Sequence, residues 1–410
     1  MNETRLRELL REVAVPGEES AERRGLALAE AAFAERAPGA VRTGPESRRG
    51  PASLSRLAIA LALFTLLAAL LLSPAGAAVR DWVDEVFTGA PKPEPGLAEI
   101  PGGGRLLVES AQGPWIVQPN GSRRLLGEFG QASWSPRGLF VATVAGDTLS
   151  ALEPDGTPRW SLSTGARVAD PRWSPSGYRI AYRSGAALRV TAADGSGDRP
   201  IDQAVAPVAP AWAPSGQNQL AFVDADGELR IADTDRGRTT GAGLVPPRLL
   251  ALEWAGALIL EASASTLELR RVEQAKLTGG ARVGPARIGL ELPTGSEVLD
   301  AALAPDGSRI AATVRLAGRS RERSAVLLYA LGPNAAPQRL LTLPGSLPEL
   351  TWAPDSSRLL VAWPSADQWL FLPVGATAPP RALSGIAAAF APGEPDAAFP
   401  AVEGWCCHAR

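Results

Sequence analysis

Histidine is almost missing from this sequence, and that scarcity removes most hydrolytic chemistry at the outset. The one histidine among 410 residues is His408, at the end of the sequence, where no packed site is expected to hold it. Catalytic triads need a base, and that base is usually His. Zinc sites need clustered Cys and His, whereas only Cys406, Cys407 and His408 occur, side by side. No metal and no cofactor is therefore expected. Lysine is nearly absent too, with only Lys92 and Lys276, while Arg and Ala abound as in GC-rich bacterial coding. The formal charge of −2 and the scattered arginines give no basic patch, so nucleic acid is not an expected partner. A Gly-rich phosphate loop is also lacking, because Gly102-Gly103-Gly104 follows a Pro-rich stretch instead of a strand. Paired-carboxylate chemistry stays open. The most suggestive pair, Asp224 and Asp226, sits at an Asp-Gly turn, where a turn role competes with a calcium site.

What the chain does have is one long uncharged run, Leu57 to Val79, whose polar side chains are Thr65 and Ser73. At ~1.5 Å per residue it matches the ~30 Å hydrocarbon core of a bilayer. Arg48, Arg49 and Arg56 precede it, and Arg80 is followed at once by Asp81, Asp84 and Glu85. The basic excess stays in the cytoplasm, so the N-terminus is expected inside and everything after Val79 outside. Ala75-Gly76-Ala77 resembles a signal-peptidase site, but the long, patterned segment ahead of the run favours a retained signal anchor.

Residues 1–50 carry two helical stripes. Leu6, Leu9, Leu10 and Val13 follow the i, i+3, i+4, i+7 pattern, and Leu26 and Phe33 share a side of a second segment. Two short helices bury too little apolar surface to be stable alone. Either they fray or lie on the membrane, or these six residues dock on a cytoplasmic partner. Residues 80–104 read as a juxtamembrane turn followed by a Pro/Gly spacer.

Beyond Gly104 the sequence repeats. Trp134-Ser135-Pro136-Arg137-Gly138 returns as Trp173-Ser174-Pro175-Ser176-Gly177 and as Trp212-Ala213-Pro214-Ser215-Gly216. Weaker copies open at Trp254, Leu303 and Trp352, with Phe390-Ala391-Pro392-Gly393 as the last. The anchors lie 39, 39, 42, 49, 49 and 38 residues apart. Each is followed by short β-type runs and hairpin turns such as Asp155-Gly156 and Asp194-Gly195. Four short strands per ~40 residues is a propeller blade. Seven anchors imply an all-β propeller of seven four-stranded blades over residues 105–393, with 394–410 as a tail. Three strands within 105–126 lack an opening motif, and the anchor at Phe390 lacks following strands. Joining the two completes one blade from both ends of the chain and removes the exposed edges of an open ring.

The Trp-Ser-Pro-x-Gly openings and Ala304-Pro305-Asp306-Gly307-Ser308-Arg309-Ile310-Ala311 resemble the WD-like repeats of TolB-type β-propellers. That resemblance covers about residues 104–393 and implies a fold shared by scaffolds, periplasmic adaptors and peptidase accessory domains. The anchor tryptophans are expected as packing between blades. Cys406 and Cys407 are a disulfide candidate outside the cytoplasm, either a pair packing the tail with Trp405 or a redox-labile one. Asn120-Gly121-Ser122 matches both a glycosylation acceptor and a hairpin turn.

Together these features imply a non-enzymatic single-pass membrane protein whose extracytoplasmic propeller binds a protein or ligand and signals to a cytoplasmic regulator. The layout is similar to that of membrane-bound anti-sigma regulators, though their Cys/His zinc signature is absent. A non-signalling envelope scaffold is one alternative. An exported carboxylate-dependent hydrolase or lyase is the other, and it requires Asp, Glu and Arg converging on one propeller face.

Overall fold

The computed structural model describes residues 97, 99–214, 218–274, 281–318, 322–331, 336–375, 378–391 and 398–407. The apolar run at 57–79 and the stripes with Leu6, Leu9, Leu10, Val13, Leu26 and Phe33 lie outside these residues. Among the described residues no helix is long and apolar enough to cross a membrane.

Seven antiparallel sheets of four strands each follow one another along the chain. Blade two shows the plan, with Ala132–Trp134 innermost, then Val141–Ala145, Thr148–Leu152 and Pro158–Ser163 outermost. The alternation of the sequence explains the packing. Val141, Ala142, Val144, Leu149 and Ala151 are buried, whereas the outermost strand is largely exposed. Innermost strands of successive blades touch around the ring, and the last, Ala401–Cys406, touches Ala132–Trp134.

The opening motif acts as its residue types suggest. Trp134, Trp173 and Trp352 each end an innermost strand opposite the first residues of the next strand, against Val141, Ile180 and Leu359. Trp212 and Trp352 donate their indole N–H to Arg172 O (2.9 Å) and Ala302 O (3.1 Å) of the preceding blade. The reversal after the anchor places Gly138, Gly177 and Gly307 at φ of 60°, 78° and 68°. In blade seven Ser356 holds the same left-handed position at φ 59°, where a side chain costs about 1–2 kcal/mol. Farther out, Arg270 in blade five pairs with buried Glu261 and donates to Ala242 O and Leu244 O of blade four, clamping the two blades together.

The ring closes as a blade shared by the two ends of the chain, but through a different strand from the one expected. Arg105–Ser110, Gly113–Val117 and Arg123–Leu125 supply three strands, and Ala401–Cys406 supplies the innermost. Phe390 is not a strand anchor. It ends the short helix Ile386–Phe390, fully buried between Trp115 (5.8 Å, edge-on) and Trp369 (5.4 Å). The seventh anchor is Trp405, paired with Leu106 as Trp134 is with Val141. It escapes the repeat pattern because Arg105–Ser110 already supplies the next strand, so no Pro-Gly reversal has to follow it. The propeller therefore extends to Cys406, and residues 401–406 of the expected tail belong to its first blade.

Candidate functional site

Bringing the innermost strands together gathers acidic and amide side chains that are far apart in sequence. Gln131, Asp170, Asp300 and Glu349 each stand three residues ahead of an anchor, and Glu253, Glu403 and Glu109 join them around the bore. Several bridge neighbouring blades. Glu253 Oε2 accepts from Leu303 N (2.5 Å), Asp300 Oδ2 from Leu350 N (2.8 Å), and Glu349 Oε2 from Val402 N (3.1 Å). Gln131 plays the same part between blades two and three, accepting from Asp170 N at 2.6 Å. Asp170 sits in a bulge at φ 53° and is held by Arg183 Nε at 2.6 Å. Strained backbone of this kind is found where geometry is fixed for a purpose.

Burial dominates the electrostatics of this ring. It pushes Glu253 up to about 7 against the Leu303 amide bond, with the Asp300 charge adding to it and Arg172 opposing it. Glu349 also rises to about 7 by burial, opposed by Val402 N and assisted by Glu403 and Asp300. Asp300 rises to about 6 by burial against its two amide bonds. Glu109 and Glu403 lie side by side on paired strands. Burial first, then the Glu403 charge and a hydrogen bond to it, push Glu109 up to about 7. Glu403 is accessible to solvent yet crowded by protein, and burial raises it while Arg172 pulls it down. Each carboxyl of this pair disfavours the charged form of its neighbour.

The acids lie toward the face that carries the blade-to-blade crossings, opposite the Trp-Ser-Pro-x-Gly turns. Two concavities open there. One, of about 560 Å³, is lined by Glu109, Gln131, Asp147 and Arg167. The other, 440 Å³, is apolar, with Pro207, Val208, Val245, Pro246 and Leu249 along it and Arg248 among its lining residues. Leu244, which also lines it, is 64% exposed.

The residues singled out from sequence fall elsewhere. Asp224 accepts from Asp226 N, Glu228 N and Arg230 Nε (3.0, 2.9 and 2.8 Å), which makes it the organiser of a turn. Asn120 Oδ1 accepts from Ser122 N and Oγ in a hairpin turn. Cys406 and Cys407 are joined to each other on the opposite face, at the end of the closing strand. Among the described residues no three of His, Cys, Asp and Glu converge to hold a metal ion. Sequence reading missed the acid ring, although a polar residue three places before four of the anchors was visible as a signal.

These sheets and their closure define a seven-bladed β-propeller. Neither a protein family profile nor a curated protein matches the chain. Among solved structures, the β-propeller domain of Myceliophteria thermophila Cps50 (Swd1) superposes with a TM-score of 0.50 at 14% identity, covering 66% of this chain and 96% of that one. A putative 6-phosphogluconolactonase from Bacteroides fragilis gives 0.47 at 17% identity, covering 69% and 94%. Likeness at such identities is likeness of fold.

Proposed function

We propose that the protein is a single-pass membrane protein whose exported propeller, with WD-like repeats of the TolB type, binds a ligand on its crossing face. Its N-terminal segment engages a cytoplasmic protein. The binding reading is carried by the crossing face, which bears both an acid-rimmed mouth and an apolar groove. A closed ring supplies a rigid platform for such loops. The membrane half of the proposal rests on the uncharged run at 57–79 and the arginines ahead of it.

Topology and partner are tested together. A reporter active only outside the cytoplasm should be active when fused after Arg410 and silent when fused after Arg42. In the same cells, Leu9→Asp with Phe33→Asp should abolish capture of a cytoplasmic protein while leaving reporter activity intact. Burying one such side chain contributes about 1.5–3 kcal/mol, so losing two weakens a complex by roughly a hundredfold or more. Reversed reporter signals overturn the orientation. Equal capture by the double variant leaves the scaffold reading, in which the N-terminal segment anchors without signalling.

A second reading is favoured by one observation, the convergence of Glu109, Glu403 and Arg172 at the bore. Two adjacent carboxyls, one of them raised to about 7, are suited to general acid and base roles. An exported hydrolase or lyase of this kind should cleave members of a panel of neutral and uronic glycans, with Glu109→Gln lowering turnover by about a hundredfold or more. Turnover that survives Glu109→Gln and Glu403→Gln unchanged excludes it.

A further inference from the structure

The closing strand ends at Cys406, which is paired with Arg105 and 6% exposed. Cys407 turns away from it with φ 52° and is half-buried. Both sulfurs rest on Gly138, in the opening turn of blade two. A β-carbon on that glycine would lie 2.7 Å from Cys406 Sγ and 2.9 Å from Cys407 Sγ, so only glycine leaves the seat open. Ser135 O and Pro136 O stand 4.0 and 3.8 Å from the two sulfurs. Arg105 completes the seat, donating from Nη2 to Gly138 O at 2.6 Å with its guanidinium 4.8 Å over the Trp134 ring.

A bond between adjacent cysteines closes no loop of chain, so it restrains the unfolded state very little. Its effect in the folded protein is local, fixing the two sulfurs together over Gly138 of the next blade. We propose that Cys406–Cys407 is a thiol–disulfide exchange site for an external dithiol, and that its reduction loosens the ring at its closing seam. This inference is independent of what the propeller binds.

The chemistry follows from the exposure of the two sulfurs. A thiolate of the dithiol attacks Cys407 Sγ, the more accessible one. The bond between the cysteines breaks, and its electron pair leaves on Cys406 Sγ, next to the Arg105 cation, which favours the thiolate. The second thiol of the reductant then attacks the reductant sulfur of the mixed disulfide and releases Cys407. Two electrons and two protons pass to the cysteine pair, and the dithiol becomes a disulfide. Cys407 is then free to leave its left-handed conformation, and the sulfurs no longer have to share the Gly138 seat.

The test uses the full chain in detergent, treated with dithiothreitol under native conditions and then alkylated. Both cysteines should be labelled without denaturant, and hydrogen exchange at Val402–Cys406 should accelerate by about tenfold while Gln219–Val223 is unchanged. In single variants, the Cys407 thiol left by Cys406→Ala should attack glutathione disulfide, releasing glutathione thiolate and forming a mixed disulfide, about tenfold faster than the Cys406 thiol left by Cys407→Ala. Labelling that appears only after unfolding overturns the exchange site. Unchanged exchange at Val402–Cys406 overturns the loosening, and equal rates in the two variants overturn the direction of attack.

Discussion

A chain ending at Ala391 is expected to lose cooperative unfolding and to self-associate. The truncation removes Ala401–Cys406 and leaves Arg105–Ser110 as a bare edge of the ring, open to pairing with another chain. Trp405 goes with it, a buried side chain packed edge-on against Phe371 at 5.6 Å and donating to Gly103 O at 2.8 Å. Glu349 loses its amide partner at Val402 and is left a buried carboxyl without that bond. Loss of one large aromatic core side chain alone costs about 3–5 kcal/mol, against a total of about 5–15 kcal/mol for a typical domain. The point variant Trp405→Ala should accordingly remain folded and monomeric but unfold at distinctly lower denaturant. Denaturant titration and size-exclusion chromatography separate the two cases. A truncated protein as stable and monomeric as the intact one would contradict closure through this strand.

Stability is expected to fall as pH rises from about 4.5 to about 7, the reverse of the usual acid sensitivity. Glu253, Glu349 and Glu109 each rise to about 7 in the folded protein from an ordinary 4.5. Between those values the folded state keeps protons that the unfolded state has released, so each pH step favours unfolding, and the slope flattens above 7. Below this window the opposite groups take over. Asp224 and Asp306 are lowered by amide and hydroxyl bonds, with Arg230 and Arg309 assisting, against the effect of burial. Their contribution is lost as pH falls below the ordinary aspartate value of 3.8. A melting temperature that peaks near pH 4–5 follows. Glu253→Gln keeps an acceptor for Leu303 N and cannot ionise, so it should remove part of the slope, on the order of 2–3 kcal/mol between pH 5 and 8. A melting temperature that climbs steadily from pH 5 to 8, in the wild type or in Glu253→Gln, would refute this assignment.

The fold was legible because the constraint that shapes each blade recurs in one short stretch. Trp134, Trp173, Trp212 and Trp352 announce themselves, since a bulky anchor, a residue without an N–H and a turn glycine or serine must follow in that order. Trp405 obeys the same packing rule and was passed over, because the reversal that marks the others is not needed at a strand whose partner comes from the other end of the chain. In the sequence Phe390 takes its place as the last anchor. Its neighbours Ala391-Pro392-Gly393 imitate the motif, but Ile386–Phe390 forms a helix that fills the seam between blades seven and one. The acid ring was legible only in part, as the polar residue three places before four of the anchors, and for a different reason. Glu109 and Glu403 are separated by almost the whole propeller, and Glu253 meets Leu303 only once blade boundaries are known. Isolated acids in a charged sequence carry no mark of burial, and the pairing of Glu109 with Glu403 is a property of the closed ring. Asp224, by contrast, reads correctly as a turn residue because its partners, Asp226, Glu228 and Arg230, are near neighbours.

The placement of Arg105–Ser110 bears on how the domain takes mechanical force. Any pull transmitted through the chain upstream of Leu97 enters the propeller at this strand. It is not an edge, because Ala401–Cys406 is bonded along one side and Gly113–Val117 along the other. A pull along the strand axis shears two rows of hydrogen bonds at once, so the two ends of the chain brace each other where the load arrives.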